Sequence, residues 1–257
     1  MIKVVKIGGN VIDNESALAR FVADFAALEG PKVLVHGGGK LATRLAEKLE
    51  IPTTMIDGRR VTDAQTIEVV TMVYAGLVNK RIVAALQAAG CNAIGLSGAD
   101  AGVVKASRRA AKPIDFGFVG DISVDGVNAD FILSLTEQGV VPVFCSIMHD
   151  GAGVLLNCNA DSVASAVAVG LAQRCQTELV FCFEKRGVMA DIDNPDSVIA
   201  EIRPESYQQL LVEGVVNKGM IPKIDGAFKA LESGVKVVTI KHSEELACQS
   251  SGTKIML

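Results

Sequence analysis

The residues best placed to do chemistry in this sequence are lysines beside glycine turns. Lys6 interrupts an apolar run and is followed at once by Gly8-Gly9. Burying an unpaired ammonium is costly, so Lys6 either meets an anion or extends along its stem to the strand end. Lys223 follows Gly219-Met220-Ile221-Pro222 at a helix start. The helix dipole opposes a positive charge there, which fits an anion-binding role, although an exposed lysine at such a place is also ordinary. Gly8-Gly9 and Gly37-Gly38-Gly39 each close an apolar run and open a helical pattern. Such a turn exposes backbone N–H groups where the dipole attracts an anion, and it equally suits a tight turn that needs positive φ. Neither fits GxxxxGK[ST], and Gly37-Gly38-Gly39-Lys40 lacks the GxGxxG pattern of dinucleotide sites. Asn157-Cys158-Asn159-Ala160-Asp161 forms a polar cluster at a strand-to-helix boundary. There Asn159 suits a helix cap, and Asp161 falls in the favourable first turn.

These residues need elements to hold them. Residues 2–7 and 31–36 read as strands, each followed by a glycine turn and then a helix, at 16–28 and 40–49. A long helix spans 63–89, bent near Gly76, and a strand follows at 92–96. Residues 103–124 alternate and carry Pro113, Gly117 and Gly120, which predicts β-ribbon excursions over the sheet. Helices at 129–138 and 160–174 flank strands at 140–146 and 154–156. A strand at 178–183 opens a second lobe with helices at 205–212 and 222–233, a strand at 235–240 and an apolar tail that forms a final strand. Alternating strands and helices make this an α/β three-layer sandwich with a mainly parallel central sheet covered on both faces. The expected division is 1–174 and 175–257, two lobes sharing one sheet.

Composition narrows the function. The 257 residues are 49% apolar with 25 Gly, enough for a large core. A net charge of -4, no Trp and two Tyr leave neither a basic footprint nor a stacking platform, so nucleic acid is excluded as a partner. The apolar stretch 69–78 is shorter than a bilayer span, and no signal peptide is evident, so a cytoplasmic protein with no membrane partner is expected. The six Cys show no CxxC spacing, which reads as reduced thiols, and the three His form no HxxH pair. No protein metal site is expected.

In chain order, Lys6-Ile7-Gly8-Gly9-Asn10, His36-Gly37-Gly38-Gly39, Gly58-Arg59-Arg60-Val61-Thr62-Asp63, Asn79-Lys80, Gly95-Leu96-Ser97-Gly98-Ala99-Asp100, Asn157-Cys158-Asn159-Ala160-Asp161, Gly219-Met220-Ile221-Pro222-Lys223 and Gly252-Thr253 together resemble the amino-acid kinase family across the whole chain. The Arg-Val-Thr and NxNAD elements are most similar to its acylglutamate kinases. The resemblance implies an amino-acid kinase fold and ATP-dependent phosphorylation of the γ-carboxylate of N-acetyl-L-glutamate in arginine biosynthesis, with N-succinyl-L-glutamate as the second choice of acceptor. It implies that Lys6 and Lys223 contact the phosphoryl group in flight while Asp161 holds them. Gly8, Gly9, Gly37 and Gly38 would bind phosphate oxygens and the acceptor carboxylate. Gly38, Gly39, Arg60, Asn157 and Asn159 would hold the acceptor. Mg2+ would travel mainly on the ATP phosphates.

For a succinyl group, Arg59, Arg108 or Arg109 could provide the extra cation, or these arginines simply face solvent. The family's Ser/Thr-Asp pair is replaced here by Phe183-Glu184-Lys185-Arg186-Gly187, and Asn217-Lys218 stands where glycine is common, so the adenine pocket is left unassigned. The resemblance further implies residues 1–174 as the acylglutamate-binding and dimerisation lobe, 175–257 as the nucleotide lobe, and a homodimer insensitive to arginine, since the first strand begins at residue 2. A ligand sensor on the same fold is the competing class, and an acylated aminoadipate the further acceptor.

Overall fold

The computed structural model describes residues 1–257 except 57, 192, 195, 217–219 and 249. Strand β1 (Ile2–Ile7) runs into a single turn, α1 (Gly9–Ile12), and then α2 (Glu15–Ala27); β2 (Lys32–His36) runs into α3 (Gly39–Lys48). A hairpin, β3 (Met55–Ile56) and β4 (Arg59–Arg60), precedes a long helical run. That run begins at α4 (Ala64–Thr71), passes through a π-helical segment Met72–Val78 and ends as α5 (Asn79–Ala88). Next come β5 (Ala93–Leu96), the ribbon of β6 (Ser107–Arg108) and β7 (Gly120–Asp121), α6 (Ala129–Glu137), β8 (Val141–Phe144), the hairpin of β9 (Ile147–His149) and β10 (Leu155–Asn157), and α7 (Ala160–Ala172). The chain continues through β11 (Thr177–Phe183), β12 (Glu201–Ile202), α8 (Pro204–Val212), α9 (Ile221–Glu232), β13 (Val237–His242) and β14 (Thr253–Ile255).

One eight-stranded sheet has the order β12-β14-β13-β11-β1-β2-β8-β5. It is parallel from β13 to β5, and β14 pairs antiparallel with β13. The tail thus joins the sheet as expected, between β12 and β13. Each face has its own core. Ile2, Val4, Phe181 and Ile240 pack with residues of α7 and α9 such as Val163, Val167, Ile224 and Ala227. Val5, Ile7, Leu34 and Val143 pack with Phe21 and Phe25 of α2 and with Val73, Val78 and Ile82 of the long helical run. Strand side chains alternate faces, so Lys6 leaves β1 on the side of Val4, toward α7 and α9.

The structure sharpens three readings. The bend expected near Gly76 is a seven-residue π-helical segment, and the helix starts at an Asp63 cap whose side chain accepts from Thr66 N at 2.8 Å. The run Ala64–Ala88 is also longer than the apolar stretch 69–78: at 25 residues, with an 18-residue window of mean hydropathy 1.5, it has the length and composition to cross a membrane. In the fold it instead places Val69, Val70, Val73, Val78, Ile82 and Leu86 in the core. Finally, the short strands β3, β4 and β12 and the turn α1 carry too few residues for periodicity to reveal them.

Candidate active site

Both glycine turns lie at the carboxyl ends of neighbouring parallel strands, where open α/β sheets bind ligands. Gly8 N donates to Cys182 O at 2.9 Å, which seats the first turn against β11. Helix α1 starts at Gly9 and α3 at Gly39, and neither has a side-chain cap. Two contacts hold these helices side by side: Lys40 Nζ donates to Asn10 Oδ1, and Arg44 Nη2 donates to Asp13 Oδ1 at 2.9 Å. None of Gly8, Gly9, Gly37, Gly38 and Gly39 is among the glycines with φ in the left-handed range. The tight-turn explanation for them therefore fails. Space explains one of them: a Cβ at position 38 would lie 2.8 Å from Tyr74 Cδ1 and 3.3 Å from Val78 Cγ2. At Gly9 a Cβ would meet nothing within 4 Å, so neither conformation nor packing demands glycine there, and the bare backbone is open to a ligand.

Beside the turns, Asp161 bridges the two lysines. Lys6 Nζ lies 2.7 Å from Asp161 Oδ1, an ion contact without hydrogen-bond angles, and Lys223 Nζ donates to Oδ2. Lys6 is 13% exposed and Asp161 27%, so the group is largely withdrawn from water. Burial alone would raise the Asp161 carboxyl, but the two ammonium charges outweigh it and bring it down to about 2. The sequence asked Lys6 for an anionic partner; Asp161 is that partner. Helices α7 and α9 both begin at this point, adding their positive ends to the lysine charges.

A cavity of about 190 Å³ opens next to the second turn, lined by Gly37, Gly38 and Gly39, Arg60, Tyr74, Arg109, Asn157 and Asn159. Arg60 is buried; its Nη2 donates to Gly39 O at 3.0 Å and Thr43 Oγ1 at 2.8 Å, so it braces the turn as well as facing the cavity. Asn157 Nδ2 donates to Thr62 Oγ1 at 3.0 Å, and Thr62 Oγ1 donates to the Arg60 backbone carbonyl at 3.1 Å, which ties the Asn157 side chain to the backbone of β4. Asn159 Oδ1 accepts from Asp161 N and Ser162 N, the helix cap its position suggested. A second cavity, of about 600 Å³, shares Arg59 and Asn159 with the first and reaches Asp161, Phe181 and Lys223. A cavity of about 630 Å³ lies at the far end of the sheet beside Met1, Lys32 and Cys175. Its lysine already donates to Ala26 O and Leu28 O, and it lies away from the glycine turns.

Beneath the second turn is a group to which the sequence reading gave no role. His36 is fully buried; its Nδ1 donates to Gly37 O at 2.8 Å, and its Nε2 accepts from Asn79 Nδ2 at 3.0 Å. Burial pushes the imidazole down to about 4, so it is neutral near pH 7 in a fixed tautomer. Asn79 also donates to Val143 O at 2.9 Å and accepts from Lys80 Nζ at 3.0 Å. Both residues stand in the motif segments, and their polarity inside apolar elements was the signal available. Of the nucleotide-side departures, Arg186 pairs with Asp196 and Glu245, and Gly187 sits against Thr253, whose Oγ1 accepts from Val188 N at 2.8 Å. Asn217, Lys218 and Gly219 lie outside the described residues.

Residues 1–242 match the family model described as the amino acid kinase family. The chain belongs to that family. An amino acid kinase of this kind transfers phosphate from ATP to a small molecule. The chain is 50% identical over 252 residues to an acetylglutamate kinase of Phocaeicola vulgatus, covering 98% of this chain and 97% of the relative. It is 38% identical to that of Methanopyrus kandleri, with 95% and 96% covered. Among solved structures it is similar to smu.665 from Streptococcus mutans, with a TM-score of 0.78, 30% identity and coverage of 99% and 98%. Carbamate kinase from Giardia lamblia shares the amino acid kinase fold at a TM-score of 0.68 and 15% identity, over 99% of this chain and 98% of that one.

Proposed function

We propose that the protein transfers the γ-phosphoryl group of ATP to the γ-carboxylate of N-acetyl-L-glutamate, a step of arginine biosynthesis. The acetylglutamate kinase relatives support the substrate. The observation that carries the chemistry is the Lys6-Asp161-Lys223 bridge beside two open glycine turns. An acceptor carboxylate is already ionised at neutral pH, so no general base is required. One of its oxygens bonds to the γ-phosphorus, the bond from that phosphorus to the β–γ bridging oxygen breaks, and ADP leaves with the electron pair. No proton moves. The protein's task is alignment and charge neutralisation.

In this reading Lys6 and Lys223 neutralise the phosphoryl oxygens, and Asp161, ionised through the neutral range, fixes the spacing of the two ammonium groups. Backbone N–H groups of Gly8, Gly9, Gly37 and Gly38 receive phosphate and acceptor oxygens. Gly38, Gly39, Arg60, Asn157 and Asn159 hold the acceptor. Mg2+ is assigned to the nucleotide: Asp161 is engaged by two ammonium groups, and the described residues contain no cluster of three or more His, Cys, Asp or Glu.

Residues 1–174 form the acceptor and dimer lobe and 175–257 the nucleotide lobe. A cytoplasmic homodimer fits the outer face of the long helical run, where Met72 is 53% and Leu77 43% exposed, and β5, which ends the sheet with one edge unpaired among the described residues. The deciding assay is ATP-dependent hydroxamate formation. Hydroxylamine traps an acyl phosphate made from N-acetyl-L-glutamate, whereas ATP turnover without hydroxamate would reject a carboxylate acceptor.

A further inference from the structure

Arg59 stands where the two cavities beside the lysine bridge meet. The cavity at the second glycine turn and the larger one that reaches Asp161 and Lys223 share Gly58, Arg59 and Asn159. Gly58 has no side chain, and the side-chain oxygen of Asn159 is taken up by the start of α7. Among the described residues, Arg59 is therefore the one charged side chain common to both spaces. In the carboxylate-kinase reading above, a phosphoryl group held by Lys6 and Lys223 and passing to an acceptor in the smaller cavity crosses that boundary.

Charge makes the position matter. Lys6 and Lys223 bring two positive charges, and the ionised Asp161 between them cancels one. One net positive charge is left to face a carboxylate and a phosphoryl group whose negative charge is spread over three oxygens. The other cations of the two cavities are engaged or distant. Arg60 donates to Gly39 O at 3.0 Å and Thr43 Oγ1 at 2.8 Å. Asp121 lies close enough to feel the charge of Arg59, but both of its oxygens are bonded to Arg109. Lys229 follows Lys223 by nearly two turns of α9, about 9 Å along the helix. The Arg59 guanidinium has neither a hydrogen bond nor an ion pair among the described residues.

The hairpin fixes where this free cation starts. Gly58, with φ +74°, makes the turn, and Arg59 pairs with Ile56 as Arg60 does with Met55. Successive side chains leave a strand on opposite faces. Arg60 is buried and braces the glycine turn, and Arg59 is exposed on the open side. We propose that Arg59 is a third cation of the phosphoryl-transfer site, donating through its guanidinium to oxygens of the phosphoryl group as that group leaves the nucleotide for the acceptor carboxylate. The planar fork of N–H groups matches two such oxygens at once. A contact made chiefly while charge is in transit speeds the step without tightening the binding of either substrate.

The test is a hydroxamate assay with ATP and N-acetyl-L-glutamate on the wild-type protein, Arg59→Gln and Arg59→Lys, joined to calorimetric titration with ADP, Mg2+ and aluminium fluoride, a mimic of the phosphoryl group in flight. Arg59→Gln should lower kcat about 100-fold and leave both KM values within about 3-fold, and Arg59→Lys, which keeps the charge and loses the fork, should lower kcat about 10-fold. The fluoride complex should bind about 100-fold more weakly to Arg59→Gln when N-acetyl-L-glutamate is present, with binding of ADP alone within about 3-fold. Unchanged kcat and unchanged binding of the mimic would make Arg59 a solvated surface residue, and a rise in the acceptor KM alone would make it an acceptor contact. Either result overturns the proposal and leaves the kinase reading intact. A wild type that forms no hydroxamate sinks both. Should Arg59→Gln fail to fold, the Arg59→Lys values decide in the same way.

Discussion

Asp161 is more than the helix-start carboxylate that its sequence position suggests. It separates two ammonium groups that would otherwise repel, and its carboxyl stays ionised down to about 2. Asp161→Asn should therefore lower kcat about 100-fold or more with a smaller change in KM, because the lysines lose their spacing where charge develops. Steady-state kinetics on the folded variant check this, and an unchanged kcat would remove Asp161 from the mechanism. His36 makes a different prediction. Its folded pKa, about 4, lies below the ordinary value near 6.5. The unfolded chain therefore takes up the proton first, and stability is lost as pH falls from about 6.5 to about 4. Between pH 7 and 5 the loss should be about 2 kcal/mol. Urea unfolding should show it in the wild type and not in His36→Gln. Sequence alone made Lys6 ask for an anion and placed Asp161 and Lys223 as candidates. That Asp161 holds both lysines came only from the family resemblance, since residue patterning does not join Lys223 and Asp161, 62 positions apart.

The π-helical segment Met72–Val78 sets what α3 and β5 can approach. It brings Tyr74 and Val78 against Gly38, and α5 follows with Asn79 turned to His36. π segments often mark functional sites because the extra residue shifts the register of one face. Here that face supports the second glycine turn. Gly95 of β5 provides the clearance: a Cβ there would sit 1.9 Å from Asn79 Oδ1 and 2.8 Å from Lys80 Nζ. Gly95→Ala should destabilise by about 2 kcal/mol, since Asn79 must move and abandon buried partners. That loss would lower Tm by about 4 to 8 °C for a chain of this size, and activity should fall with it. Calorimetry with kinetics tests the link; a folded, fully active variant would show that the Asn79 network does not hold the turn. Alternation of strands and helices made the layers legible from sequence, and helical spacing gave the long helix. The ribbon of β6 and β7 was read from its alternation, but the π register and the two-residue strands β3, β4 and β12 were not legible, because so few residues carry no period.

At the scale of the molecule, one continuous sheet takes strands from residues 1–174 and from residues 175–257. β1 pairs with β11 on one side and β2 on the other, and Lys223 crosses from α9 to Asp161 of α7. The final strand was read from the apolar tail, but sheet order and the place of β14 between β12 and β13 were beyond sequence patterning, which counts strands without saying which are neighbours. The outer side of the helical run supplies a test of assembly. Leu77→Glu puts a charge on an exposed apolar face, so light scattering should show a dimer in the wild type and a monomer in the variant, whose fold is unchanged. A wild-type monomer would refute the assembly.

The empty space around Gly9 has a consequence for how such a chain can change over generations. A methyl group added there strikes nothing, and the backbone needs no left-handed φ. A replacement at this position would pass chaperones and proteases unnoticed, as stable and soluble as its parent. If phosphate meets that backbone, the loss would surface only when the cell has to make its own arginine. Drift at Gly9 is thus silent in rich medium and exposed in minimal medium, and growth selection there would report on ligand contact separated from folding.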